Sequence, residues 1–228
     1  MVHITIEQVR IHIGDIALLG DLALPEVATG LVLFAHGSGS SRHSVRNREV
    51  ASMLNSKGLG TLLFDLLTPE EDVGMSKRFN IALLGERLRA ATVSVAQVAR
   101  ERHLRLGYLG ASTGAAAAIR AAAEPPPHLR IDAVVSRGGR VDLAGHDALC
   151  QLRAPTLMIV GEADPLVLKL NAHATAGMQC EKRLEVIPGA THLFEEPGAL
   201  EQVGKLAGKW FCQHFAATTE LAPHGHVG

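Results

Sequence analysis

The chain of 228 residues has no excess of either charge: 22 Lys and Arg stand against 23 Asp and Glu, for a net charge of −1. A nucleic-acid binder normally carries a strong basic excess, so this balance argues against that class. Cysteine is scarce, with only Cys150, Cys180 and Cys212 and no C-x-x-C spacing. So few and so scattered, they argue against a disulfide framework and predict a reducing, cytoplasmic setting. No uncharged apolar run approaches the roughly 18 residues needed to span a bilayer. Residues 1–7 alternate polar and apolar, unlike the apolar core of a signal peptide. The expectation is a soluble protein that engages neither membrane nor nucleic acid. No H-E-x-x-H is present, and the His224-x-His226 pair sits in the last five residues, so no metal is expected. Neither G-x-x-x-x-G-K-[ST] nor G-x-G-x-x-G occurs, which leaves the nucleotide reading poor and implies no cofactor.

What is there begins with 47% hydrophobic and 20% charged residues, a composition that folds rather than staying disordered. The length suits one domain, read here as 1–218, with 219–228 as a flexible tail. No period of 20 to 50 residues repeats, so a solenoid is out.

The first 24 residues read as a strand, a tight turn at Gly14-Asp15 and a second strand. From residue 30 the pattern changes to short unbroken apolar runs at 31–35, 61–64, 104–109, 131–135, 156–160 and 183–187. Such runs suit strands buried on both faces of a parallel sheet. Between them lie helical patterns: 44–57, ending before Gly58; one from about Asn80 carrying Leu84, Leu88, Ala91, Val95 and Val98; the Ala-rich 115–123; and a last one with Leu200, Val203, Leu206, Trp210 and Phe211 on one stripe. Strands alternating with helices predict an α/β fold with a mostly parallel sheet, an antiparallel hairpin at its start, helices on both faces and no room for a lid domain. Residues 66–79 form the longest loop of this reading.

Gly110-Ala111-Ser112-Thr113-Gly114 falls between a buried strand and the Ala-rich helix. That is where a G-x-S-x-G turn exposes a nucleophilic serine; the rival reading is that Ser112 merely caps the helix. A serine hydroxyl needs a base to take its proton and an acid to orient that base. Asp164, in Gly161-Glu162-Ala163-Asp164-Pro165, and His192, in Pro188-Gly189-Ala190-Thr191-His192, each follow a strand, on the edge where parallel sheets place ligands. Glu162 and Asp142 are rival acids, and His36 and His214 rival histidines. Asp164 before a proline is also a ready helix cap. The turn His36-Gly37-Ser38-Gly39-Ser40-Ser41 follows another strand, and its glycines let backbone N–H groups face the site. The expected oxyanion donors are the N–H groups of Ser38 and Thr113.

Together, in this order and spacing, the HGSGSSR turn, the GASTG elbow, GEADP and GATHLF resemble the α/β-hydrolase superfamily, and more closely its small, lidless dienelactone hydrolase-like branch. The resemblance covers residues 5 to 215. It implies an eight-stranded sheet and a Ser112–His192–Asp164 triad. One departure shifts the expected substrate, because dienelactone hydrolases use a cysteine where this chain has Ser112. The expectation is therefore a serine hydrolase of small carboxylic esters, lactones or thioesters acting through an acyl-enzyme. His36, Arg42 and Arg137 are candidates for substrate contacts, the arginines through a substrate carboxylate, and Leu67 and Phe79 are candidates for walling an acyl pocket. A non-hydrolytic receptor on the same fold and an acyltransferase are the rival readings. The sequence leaves open whether the chain forms a homo-oligomer.

Overall fold

The computed structural model describes residues 3–216; the tail expected at 219–228 lies outside the described residues. The opening hairpin is β1 (Ile4–Ile13) and β2 (Ile16–Pro25), with Gly14 at φ +57° in its turn. There follow β3 (Gly30–Ala35), α1 (Val45–Asn55), β4 (Leu59–Phe64), α2 (Met75–Arg78), α3 (Ile81–Ser94) and α4 (Ala96–Glu101). Then come β5 (Arg105–Ala111), α5 (Thr113–Ala123), β6 (Ala133–Arg137), α6 (His146–Gln151), β7 (Thr156–Gly161), α7 (Pro165–Gly177), β8 (Lys182–Ile187) and α8 (Ala199–Ala216). The eight strands form one sheet in the order β1-β2-β4-β3-β5-β6-β7-β8. β2 meets both β1 and β4 antiparallel, and every pairing from β4 to β8 is parallel.

The unbroken apolar runs have their reason in the two cores. Val32, Phe34, Leu109 and Val135 face α1 and α8, while Leu31, Leu33, Tyr108 and Val134 face α3 and α5. Alanine is the feature that lets α5 lie close to the sheet, because Ala115 to Ala118 are all fully buried. Gly85 of α3 packs against the α5 backbone at Ala117.

Four elements differ from the sequence reading. β6 runs from 133 to 137 rather than 131 to 135, because the Asp132 carboxylate turns back to accept the Leu106 N–H. The helix expected to continue from Asn80 through Val98 breaks at Val95 (φ −98°, ψ 0°), giving α3 and α4. β8 is an edge strand with only Ile187 fully buried, so the two-faced burial expected for 183–187 does not hold. Residues 66–79 are ordered by a 3₁₀ turn (Glu71–Val73) and α2, tied through Glu71, which accepts from the Thr68 N–H, Lys77 and Arg87. No helix among the described residues is long and apolar enough to cross a membrane.

Candidate active site

The parallel strands end along one edge, and the turns after β3, β5, β6, β7 and β8 meet there. Pairing of Ala35 with Gly110 and of Ala111 with Arg137 sets the turns after β3 and β6 on either side of Ser112. Ser112 holds φ +50° and ψ −120°, a conformation disfavoured for a residue with a side chain. Its N–H donates to the Arg137 carbonyl at 3.1 Å, and its own carbonyl accepts from the Arg140 N–H at 3.0 Å. The flanking glycines are obligatory for steric reasons. A Cβ on Gly110 would lie 2.4 Å from the Ala115 Cα, and one on Gly114 would lie 2.1 Å from the Ala35 carbonyl oxygen. Ser112 occupies the cap position of α5, yet its hydroxyl makes no capping bond. It points instead toward His192.

The His192 Nε2 lies 3.3 Å from the Ser112 Oγ, and its Nδ1–H donates to the Asp164 Oδ2 at 2.6 Å. Asp164 also caps α7, its Oδ1 accepting the Val167 N–H at 3.4 Å, so one carboxylate both meets His192 and caps the helix. The rivals are engaged elsewhere. Glu162 accepts the Gly189 N–H at 2.8 Å, Asp142 holds both Nε and Nη2 of Arg140, and His214 lies edge-on to Trp210 within α8. The loop that carries His192 is braced by Phe194, a buried residue at φ +57° whose ring lies 6.0 Å from the Arg137 guanidinium carbon.

At the turn after β3, Gly37 approaches Ser112 so closely that a Cβ would sit 3.2 Å from the serine Cβ. The Ser38 N–H donates to the Thr113 hydroxyl at 2.9 Å. Both expected donors therefore sit beside the Ser112 elbow, with one of them held by a hydroxyl. His36 is 8% exposed and has both ring nitrogens committed: Nδ1–H to the Gly37 carbonyl at 2.9 Å, Nε2 accepting the Leu66 N–H at 3.0 Å. Burial pulls its basicity below the ordinary histidine value. The ring nitrogens of His36 thus tie this turn to the segment after β4, while the residue also lines the depression beside the turn.

Arg42 is likewise taken up internally. Its N–H donates to Asp65 Oδ1 at 2.8 Å and its guanidinium grips the same carboxylate. Arg137 is buried, donates to the Asn47 Oδ1 at 3.0 Å, and has no carboxylate within 4 Å among the described residues. Burial and neighbouring Arg46 pull its pKa down to about 10. It braces the His192 loop instead of standing free for a substrate carboxylate. Phe79 is 46% exposed and is not among the residues that line the depression beside the turn. Leu67 does line a depression of about 220 Å³ beside the turn, and His36 and Asp65 line it too, with Ser40, Ser41, Thr68, Pro69 and Asp72. Sequence reasoning missed Asp65 and Phe194. Asp65 was within reach of it as the first residue past a strand on this edge, whereas the inward Phe194 carried no such signal. Among the described residues, no three His, Cys, Asp or Glu side chains are grouped to hold a metal ion.

A solved structure of a dienelactone hydrolase from Anabaena variabilis is 50% identical, matches 92% of this chain and 98% of that one, and superposes with a TM-score of 0.88. The chain belongs to the dienelactone hydrolase family. A Bradyrhizobium protein provisionally named a 2-oxo-3-(5-oxofuran-2-ylidene)propanoate lactonase is 30% identical over 65% of this chain and 67% of its own length. Est1E from Butyrivibrio proteoclasticus shares the α/β-hydrolase fold at a TM-score of 0.76 and 16% identity, covering 92% of this chain and 99% of Est1E. A Mycobacterium tuberculosis protein provisionally named a phosphoribosyl transferase is 54% identical over 208 residues, 91% of this chain. This dienelactone hydrolase-family chain spans 46% of that relative's length, so the transferase name describes a protein more than twice as long as the match. A scan against protein-family models finds no match.

Proposed function

We propose that the chain is a serine hydrolase of small carboxylic esters, lactones or thioesters. The observation that carries this reading is the continuous hydrogen-bonded line from Ser112 Oγ through His192 to Asp164 at the end of a strained elbow. His192 takes the serine proton as Oγ attacks the carbonyl carbon, and Asp164 holds the Nδ1–H tautomer and stabilises the imidazolium. The tetrahedral oxyanion is received by the N–H groups of Thr113 and Ser38, the latter released from the Thr113 hydroxyl as the carbonyl oxygen arrives. The alcohol or thiol leaves with the proton from His192, and a water activated by the same imidazole frees the acid from the acyl-enzyme.

We take the depression of about 220 Å³ that His36 and Leu67 line beside the turn as the acyl recess; small against the roughly 300–1,000 Å³ of drug-sized sites, it would favour short acyl groups. The names of the Anabaena and Bradyrhizobium relatives make lactones the first esters to try. Labelling with a fluorophosphonate should modify the wild-type protein and leave Ser112→Ala untouched, and the same variant should lose turnover of 4-nitrophenyl acetate. Absence of labelling in the wild type overturns the nucleophile assignment. Labelling without turnover of any ester favours the receptor or acyl-transfer readings.

A further inference from the structure

We propose that the chain carries a second binding site, for a small phosphomonoester dianion, at the opposite edge of the sheet from Ser112. A depression of about 440 Å³ opens there, between α4, the start of β5 and the segment leading into β6. Its lining includes Arg100, His103, Arg105, His128, Arg130 and Asp132. β5 runs from Arg105 at this depression to the elbow, so at about 3.3 Å per residue the two sites stand roughly 20 Å apart. Nothing in the proposed esterase chemistry uses these residues.

The charge arrangement defines the ligand. Asp132 is 4% exposed, and its Oδ2 accepts the Leu106 N–H at 3.3 Å. Its Oδ1 faces Arg130 Nε at 3.1 Å and Arg105 Nη1 at 3.9 Å yet completes no hydrogen bond with either. One carboxylate thus organises two guanidiniums and neutralises one of them. Arg100, exposed on the rim, forms no ion pair within 4 Å among the described residues. Three guanidiniums and one carboxylate leave two positive charges around a concave surface, the complement of a phosphomonoester rather than of a single carboxylate. Two imidazoles add N–H donors at the rim. Both belong to non-glycine residues held at positive φ, His103 at +54° and His128 at +63°. A concave depression of this volume is the form small-molecule sites take.

The test is calorimetric titration of the full chain, at constant ionic strength, with glycerol 3-phosphate, inorganic phosphate, acetate and polyglutamate. The expected result is saturable binding of glycerol 3-phosphate and phosphate, with acetate at least about tenfold weaker, because a monoanion leaves one charge unmatched. Arg100→Gln with Arg130→Gln should weaken phosphate binding by about tenfold or more while 4-nitrophenyl acetate turnover is unchanged. Should that double variant fail to fold, His103→Asn with His128→Asn keeps residues that tolerate positive φ and should still weaken binding. Failure to saturate by about 20 mM, far weaker than metabolite-level affinity, overturns the proposal. So does equal affinity in a folded variant, or a response to polyglutamate with none to phosphate. Because ester turnover is read separately, failure here leaves the serine-hydrolase reading standing, and failure there leaves this site standing.

Discussion

At the scale of single residues, the candidate site sets a strained backbone against a short hydrogen bond. The Asp164–His192 contact is the part that position alone cannot replace, because an amide at 164 can present a donor where His192 needs an acceptor. Asp164→Asn should lower kcat by about 10⁴-fold with little change in KM. Glu162→Gln, which disturbs only the bond to the Gly189 N–H, should retain most of the activity, and the reverse ranking in the same nitrophenyl ester assay would make Glu162 the working acid. His36 has a thermodynamic signature. Burial lowers its pKa in the fold, so the unfolded chain takes up this proton first as pH drops below the ordinary 6.5. Stability contributed by neutral His36 is complete above that value and is lost as pH falls from it toward the lowered folded value. Urea unfolding at pH 7.5 and 5.5 should show His36→Gln less sensitive to acid than wild type, by at most about 1.4 kcal/mol per pH unit of the window. Equal acid sensitivity of the two proteins would remove His36 from the account.

Among the elements, α5 matters most to the elbow because it continues directly from Ser112. Its first turn leaves N–H groups unpaired by the helix, which is how the Thr113 N–H comes to be free for an oxyanion. The helix can start there only because Gly114 passes against the β3 backbone and because its alanines take little space. Ala118→Leu adds three carbons to a fully buried position and should destabilise by about 1–3 kcal/mol in urea unfolding. The same change at exposed Ala172 of α7 should be close to neutral. The strands were legible because a parallel sheet covered on both faces asks for unbroken apolar runs. β8 misled for the same reason: Leu184, Val186 and Ile187 look like a buried run, but an edge strand carries them with solvent close by. The break at Val95 was hidden because the apolar spacing of the helix continues through it, the turn being made by backbone angles that periodicity does not record.

For the molecule as a whole, the sheet separates two ends with different chemistry. One edge gathers the turns around Ser112, and the other gathers arginines around a buried carboxylate, so near-zero net charge conceals a local positive field. Among the described residues no lid covers the Ser112 edge. Turnover should therefore rise smoothly with ester concentration through the solubility limit, without a jump at the onset of micelles, and should fall from acetate and butyrate to octanoate esters. A jump, or a preference for long chains, would mean that the segment 66–79 moves to admit them.

The sequence by itself determined the class of fold and the order serine, acid, histidine along it, because strand burial, turn glycines and a nucleophile turn are written locally. It also put Asp164 and His192 ahead of the rival acids and histidines. What tertiary structure alone supplied was the contact, since it depends on which side chains meet across 28 and 80 residues of chain: Asp164 with His192, and His192 with Ser112. The fates of Arg42, Arg137 and His36 were decided in the same way. A charged or polar side chain behind an active edge reads as a ligand contact until its partner is known, and Asp65, Asn47, Phe194 and the Leu66 N–H are partners that only the folded chain supplies.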